Sequence, residues 1–225
     1  MKIHNVQQQS VEWMLLRAGI PTASEFDNLV TPEFKIRTGQ TPESYLAKKI
    51  AEAWLGGPLP MMNVFDMDQG RILEEEAKPF YSLTTGEEIQ NVGFITTDDG
   101  RIGCSPDGVL GDEGGIEIKC PAVHTHVRYL LDGELPKDYA AQVHGSIFVT
   151  GRPWWRFMSY CRRFPPMILT VKRNEDIQHK MRMALELFLE SFDNAYSRLC
   201  ALNGGPPERR TVAPAKAPGE FTDPD

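Results

Sequence analysis

The order of periodic segments predicts an α/β protein, with a mixed central β-sheet flanked by helices and an N-terminal helical cluster. Three observations carry this. Helix start and stop signals recur three times before Gly57, short β-branched and aromatic runs fill residues 89–119 and 154–171, and a long amphipathic helix follows Asn174.

Ser10 is placed to cap a helix over Val11 to Ala18, with Gly19 as its stop. Thr22 and Glu25 have capping-box spacing and open a short helix running to Val30. Thr41-Pro42 starts a third helix, which Gly56-Gly57 ends. A further helix is expected from Val64 to Leu83 and another from Lys137 to Val149. Strands are expected over Ile89 to Thr96, Arg101 to Cys104 and Gly115 to Lys119; the turns Asp98-Asp99-Gly100 and Gly111-Asp112-Glu113-Gly114 would make them a meander. Trp154 to Cys161 and Met167 to Val171 read as two more strands around Pro165-Pro166. Asn174, followed by Glu175 and Asp176, caps a helix whose stripe (Ile177, Met181, Ala184, Leu185, Phe188, Phe192, Ala195, Leu199) keeps the 3.6 period and should pack on a sheet. Residues 1–202 read as one domain, whereas 203–225 hold five of the 17 prolines and almost no large apolar residue, and are expected to be a disordered tail.

The 225 residues carry a net charge of −7, which argues against coating nucleic acid or an anionic membrane by bulk positive charge. No apolar run approaches the roughly 20 residues that span a bilayer, and a cytoplasmic location is expected. Cys104, Cys120, Cys161 and Cys200 form no C-x-x-C pair and are expected to stay reduced. Their wide spacing argues against an iron–sulfur cluster, and Cys120, His124 and His126 lack a fourth ligand at zinc-site spacing.

Glu117 and Lys119 lie two apart on a strand and so share one face. Burying both unpaired is costly, so either both are solvated or both serve a site. Asp107 lies ten residues before Glu117, with nine between them, and the Gly-rich turn there folds it back toward that carboxylate. Two hard oxygen ligands with a flanking lysine suit Mg²⁺ and phosphodiester hydrolysis. Glu74 is a candidate third ligand, although the run Glu74-Glu75-Glu76 taken alone is better explained as a solvated helix face.

Four strings extend the pattern: Leu16-Arg17-Ala18-Gly19-Ile20-Pro21-Thr22-Ala23-Ser24-Glu25, Cys104-Ser105-Pro106-Asp107-Gly108, Gly115-Ile116-Glu117-Ile118-Lys119-Cys120-Pro121 and Tyr139-Ala140-Ala141-Gln142-Val143. In this order and spacing they resemble the phage-lambda-type viral recombinase family of alkaline exonucleases, within the PD-(D/E)xK nuclease superfamily, over roughly Gln8 to Leu199. The resemblance implies a restriction-endonuclease-like core and a Mg²⁺-dependent 5′-to-3′ exonuclease, with Mn²⁺ as a substitute cation. Such an enzyme digests linear double-stranded DNA and leaves 3′ single-stranded overhangs for recombination by strand annealing. It also implies a homotrimer working with a single-strand annealing protein. By the same resemblance Asp107, Glu117 and the main-chain carbonyl of Ile118 hold the metal and Glu74 contributes to the centre. Lys119 is then the catalytic lysine, Gln142 positions the attacking water, and Arg17, Ser24 and Ser105 form a pocket for the 5′-terminal phosphate. His144 stands where the family often has a second glutamine, so no role carries over to it.

Charge is unevenly placed. Residues 66–113 contain 12 acidic and three basic residues, whereas Val143 to Arg173 has no acidic residue and six basic ones among Trp154, Trp155, Phe157 and Tyr160. Some of these arginines are expected to track a phosphate backbone; the aromatics serve equally well as alternate core positions of a strand. A structure-specific or restriction-type endonuclease, or an inactive DNA-end-binding module, remains an alternative on these residues.

Overall fold

A computed structural model describes residues 1–59 and 67–206, with side chains for all of them except 67–72 and 203. The start of the expected Val64 helix and the tail from 207 onward lie outside the described residues.

Of the caps expected in the helical cluster, that of Ser10 forms, whereas the third helix begins at Gln40 behind Gly39, which places Thr41 inside it. Ser10 accepts from the Trp13 amide and opens α1 (Val11–Arg17), and the chain leaves through Gly19 at φ 75°. Thr22 heads a 3-10 turn over Ala23–Asn28, but its side chain makes no capping hydrogen bond, and the capping-box reading of Thr22 and Glu25 is corrected. The stronger attraction wins: Glu25 is drawn instead to two lysines of α2 (Gln40–Leu55), a helix that Gly56 ends in the left-handed conformation.

Among the described residues seven strands form two sheets. β1 (Lys2–His4), β2 (Phe94–Thr96) and β3 (Gly103–Cys104) make an antiparallel sheet; β4 (Gly108–Leu110), β5 (Gly114–Lys119), β6 (Trp154–Ser159) and β7 (Met167–Lys172) make a mixed one in which β5 and β6 run parallel. The expected meander is therefore corrected: β3 leaves one sheet and β4 enters the other. The full Ile89 to Thr96 strand is also cut short, since Gln90 pairs with Val109 of β4 only as an isolated bridge. β1 and β4 are three residues each, too short for a period-2 signal. Gly114 and Gly115 face Trp154 and Trp155 across the β5–β6 ladder, and a Cβ on either glycine would enter the indole ring.

The mixed sheet lies between α3 (Met67–Thr85) and α5 (Lys137–Thr150). Ile116 and Ile118 pack against Ala77 and Tyr81 of α3, while Trp155 and Phe157 pack against Val143 and Ile147 of α5. α4 (Val123–Asp132) precedes α5; its N-cap Ala122 offers no capping side chain, which hides the helix in the sequence. Asn174 caps α6 (Glu175–Asn203) through its Oδ1 on the Ile177 amide, as expected. α6 lies chiefly on α2 and α5 and not on a sheet, because α5 already occupies that layer. Met181, Ala184, Leu185 and Phe188 of its stripe share one core with Tyr45, Ala141 and Val149. Among the described residues no helix is long and apolar enough to cross a membrane.

The seam between α5 and the 3-10 turn is close. A Cβ on Gly145 would lie 2.5 Å from the ring of fully buried Phe26. Gly145→Ala gains helix propensity of about 1 kcal/mol but overpacks at a cost of about 1–3 kcal/mol. A lower melting temperature in thermal unfolding is the expected result.

Candidate active site

Glu117 is 2% exposed on β5, beneath α5. Its Oε1 accepts from Gln142 Nε2 at 2.5 Å and from Lys119 Nζ at 2.6 Å, and Lys119 also lies over the Tyr139 ring at 5.2 Å. Its Oε2 is buried and has no hydrogen-bond partner among the described residues. Asp107 Oδ2 accepts from the Ile118 amide at 2.6 Å, which folds the carboxylate back on the strand as the spacing predicts. Burial, then the charges of Glu117 and Glu74, push Asp107 well above the usual carboxylate range. Burial likewise raises Glu117, with Glu74 adding to it against the opposing Lys119 and Gln142. Burial works to lower Lys119, but the carboxylates of Glu117 and Asp107 prevail and raise it.

A buried carboxylate oxygen without a partner, next to a second desolvated carboxylate, fits a hard divalent cation with oxygen ligands. Asp107, Glu117 and the Ile118 carbonyl could hold it. Glu74 comes less close: it pairs with Lys78 at 3.7 Å and acts on Asp107 and Glu117 only electrostatically. Among the described residues, no three Asp, Glu, His or Cys side chains gather closely enough to hold an ion by themselves. Glu74 also lines a cavity of about 860 Å³ with Gln7, Gln8, Ser10 and Lys78.

The second half of the site is cationic. Arg17 Nη1 donates to Ser105 Oγ at 2.7 Å, and Nη2 donates to Thr22 Oγ1 and Ser24 Oγ, each at 3.2 Å. Arg17, Ser24 and Ser105, far apart in sequence, thus converge. Arg17 makes no ion pair among the described residues, and burial depresses its pKa against the raising influence of Glu25. A half-buried guanidinium with only hydroxyl partners can take an anion. Ser105 lies two residues from Asp107, so the two halves of the site are at most about 7 Å apart along the chain.

Sequence reading passes over four contributors. Trp13 stacks under Arg17 at 4.3 Å and donates from Nε1 to Ser105 Oγ at 3.0 Å; the i, i+4 spacing of Trp13 and Arg17 on α1 is its signal. Thr22 bonds Arg17, and Tyr139 backs Lys119. Gln8 Nε2 donates to the carbonyls of Pro106 and Val92 at 2.8 and 3.0 Å, bracing the loop that carries Asp107, and no local pattern marks it.

Most of the basic segment is engaged within the fold. Arg152 is buried and donates to the carbonyls of Gly111 and Gly114; Arg156 pairs with Glu87 at 3.0 Å, Arg162 with Glu76 at 2.6 Å and Arg173 with Glu175 at 2.6 Å. Glu76 and Glu87 belong to the acidic stretch, so two of the arginines are spent on acidic partners from it. Arg163 and Lys172 are exposed and make no ion pair among the described residues. Trp155, Phe157 and Tyr160 are core residues, and Trp154 is half-buried. His126 is fully buried, with its ring nitrogens on Ser159 Oγ and the Pro165 carbonyl, so it is not free to bind zinc. His144 is buried against Phe34, and burial lowers it to about 4, leaving a neutral packing group. All four cysteines are free thiols.

A model of the YqaJ-like viral recombinase domain matches residues 12–153, which hold all of the site residues described above except Gln8. The chain belongs to this family. The alkaline exonuclease LHK-Exo from Laribacter hongkongensis is similar in structure, with a TM-score of 0.77, 28% identity, and coverage of 87% of this chain and 98% of that one. The same relative in complex with dAMP has a TM-score of 0.78 at the same identity and coverage. A phage-related exonuclease from Haemophilus somnus 129PT shares the fold, with a TM-score of 0.61 and 13% identity over 80% of this chain and 96% of that one. None of the curated proteins matches the chain. Membership makes this YqaJ-like protein a nuclease, and its two sheets with flanking helices are the nuclease fold of these neighbours.

The raised carboxylates give a stability prediction with a definite sign. Each binds more protons folded than unfolded, so its contribution becomes less favourable as pH rises from the unfolded value near 4 into the neutral range. Asp107→Asn keeps the acceptor for the Ile118 amide and removes one repelling charge. The metal-free variant is expected to melt above the wild type at pH 7, by about 2–4 °C per kcal/mol relieved, and the difference should shrink toward pH 4.

Proposed function

We propose that this protein is a Mg²⁺-dependent exonuclease that degrades the 5′-ended strand of linear duplex DNA and leaves 3′ single-stranded overhangs. The observation that carries the reading is the two-residue link from Ser105 to Asp107, which ties an anion pocket to a carboxylate pair. A pocket that grips a terminal 5′-phosphate at that spacing sets the next phosphodiester against Asp107 and Glu117. Cleavage there releases one nucleotide at a time from a 5′ end. The cavity beside Glu74 has room for the terminal nucleoside, and the complex of the LHK-Exo relative with dAMP is with a nucleoside monophosphate, the product class expected.

In this reading Arg17 binds the terminal phosphate, with the hydroxyls of Ser24, Ser105 and Thr22 completing its shell. Asp107, Glu117 and the Ile118 carbonyl hold the cation, Mg²⁺ or in its place Mn²⁺, with Glu74 at the edge of the centre. When bound, the cation neutralises charge on the scissile phosphate and acidifies water. Lys119, anchored by Glu117, orients the attacking water and stabilises developing charge. Gln142, held on the same carboxylate oxygen, fixes that geometry from α5.

The overhangs suit recombination by strand annealing, and a single-strand annealing protein is the partner we propose. A net charge of −7 and a basic segment whose arginines are mostly engaged internally suit a closed ring around the duplex better than simple electrostatic adhesion, and we propose a homotrimer.

The deciding experiment digests end-labelled linear and closed circular duplexes with Mg²⁺. Linear 5′-phosphorylated ends should be the preferred substrate, and circular DNA should survive. Lys119→Ala and Asp107→Ala are expected to lose about 10²-fold or more in turnover while still binding ends; near-normal turnover in either would exclude the site. Added Mg²⁺ should raise the melting temperature of the wild type and do so less for Asp107→Asn. Light scattering coupled to size exclusion should return a mass near three times 25.3 kDa.

A further inference from the structure

Arg17 stands beside a carboxylate with which it does not pair. Among the charged groups around it, Glu25 acts on it most strongly. A single hydroxyl separates them: Thr22 Oγ1 accepts from Arg17 Nη2 at 3.2 Å and donates to Glu25 Oε2 at 3.4 Å. A free carboxylate in that position would close on the guanidinium, because a two-pronged pair with a carboxylate is the arrangement arginine favours. The donors that a phosphate needs would then be occupied.

Glu25 is instead turned toward α2. Its Oε1 accepts from Lys48 Nζ at 2.5 Å, and its Oε2 lies 2.9 Å from Lys49 Nζ and 3.5 Å from the Tyr45 hydroxyl. Lys49 is 3% exposed and also pairs with Glu52 Oε2 at 3.1 Å; Glu52, 5% exposed, accepts from the Gly19 amide at 3.0 Å. Burying two such charges is costly, so the pair is poorly explained as a source of stability alone. Burial works to raise Glu25, yet the two ammoniums hold it down at about 2, so it stays charged at any working pH. Gly19 follows Arg17 by two residues and Ser24 precedes Glu25, so α2 grips both flanks of the segment that carries Arg17, Thr22 and Ser24.

We propose that Lys48 and Lys49 are positioning residues that hold Glu25 off Arg17, and that this sequestration sets the enzyme's preference for ends bearing a 5′-phosphate; the inference rests on Arg17 as the terminal-phosphate ligand. The competing explanation, that the lysines only hold the fold, makes a different prediction. Under it, removing Glu25 as well repairs nothing. Under sequestration, removing Glu25 restores what the lysine variants lose.

The test measures kcat and KM of the full-length protein with Mg²⁺ on linear duplexes with 5′-phosphate and 5′-hydroxyl ends, with thermal unfolding in parallel. Lys49→Met should lower the phosphate preference about tenfold and Lys48→Met several-fold, through KM more than kcat. Adding Glu25→Gln to either should return the preference to within about threefold of the wild type. Lys48 is partly exposed, so its variant carries the test if Lys49→Met does not fold. An unchanged preference in folded lysine variants, or a loss that persists with Glu25→Gln, overturns the proposal while the pocket itself stands. Arg17→Ala separates the two levels. Loss of the preference there upholds the pocket, whereas a retained preference overturns both the pocket and its sequestration.

Discussion

Three residues, Ser105, Pro106 and Asp107, carry the chain from the end of β3 in one sheet to the start of β4 in the other, and the whole site depends on that crossing having no slack. Ser105 belongs to the anion pocket and Asp107 to the carboxylate pair, so any drift between the sheets would separate the two halves. The crossing is braced on every side. Gln8 holds the Pro106 carbonyl, Gln90 in the segment before β2 exchanges backbone hydrogen bonds with Val109 of β4, and the Ile118 amide donates to Asp107. Such bracing matters because a displacement of about 1 Å at a reacting centre can cost about 10²-fold in rate.

The charges at this seam are arranged against their own preferences. Two carboxylates sit together in a poorly hydrated place, and a guanidinium stands among hydroxyls while its nearest carboxylate is held elsewhere. Each departure destabilises the free protein, and apolar packing around the mixed sheet, under α3, α5 and α6, offsets it. The same groups become favourable when a cation and a phosphate arrive, which is how a site binds by completing its own charge balance.

Charge far from the site obeys the opposite rule. Glu76 and Glu87 from the acidic stretch meet Arg162 and Arg156 from the basic one, and Arg152 spends its donors on the turn carbonyls of Gly111 and Gly114. A stretch that looks uniformly basic along the chain has most of its arginines engaged within the fold. Charge runs in a sequence therefore report on partners only after the internal pairs are known.

Glu117 and Lys119 were legible from two-residue spacing, the caps of α1 and α6 from Ser10 and Asn174, and the convergence of Arg17, Ser24 and Ser105 from the matched strings. Each rests on a local rule or on residues whose order is itself the signal. The split of the strands into two sheets, the layer between α6 and the sheet, and the fate of Glu25 and of the arginines were not legible. They depend on which of several possible partners comes within about 3–4 Å, and a one-dimensional pattern records residue type and spacing but not that competition. Glu25 shows the difference most plainly. Its spacing from Thr22 offers a cap with a single backbone amide, and folding brings it two ammoniums, whose attraction in a half-buried place is the stronger.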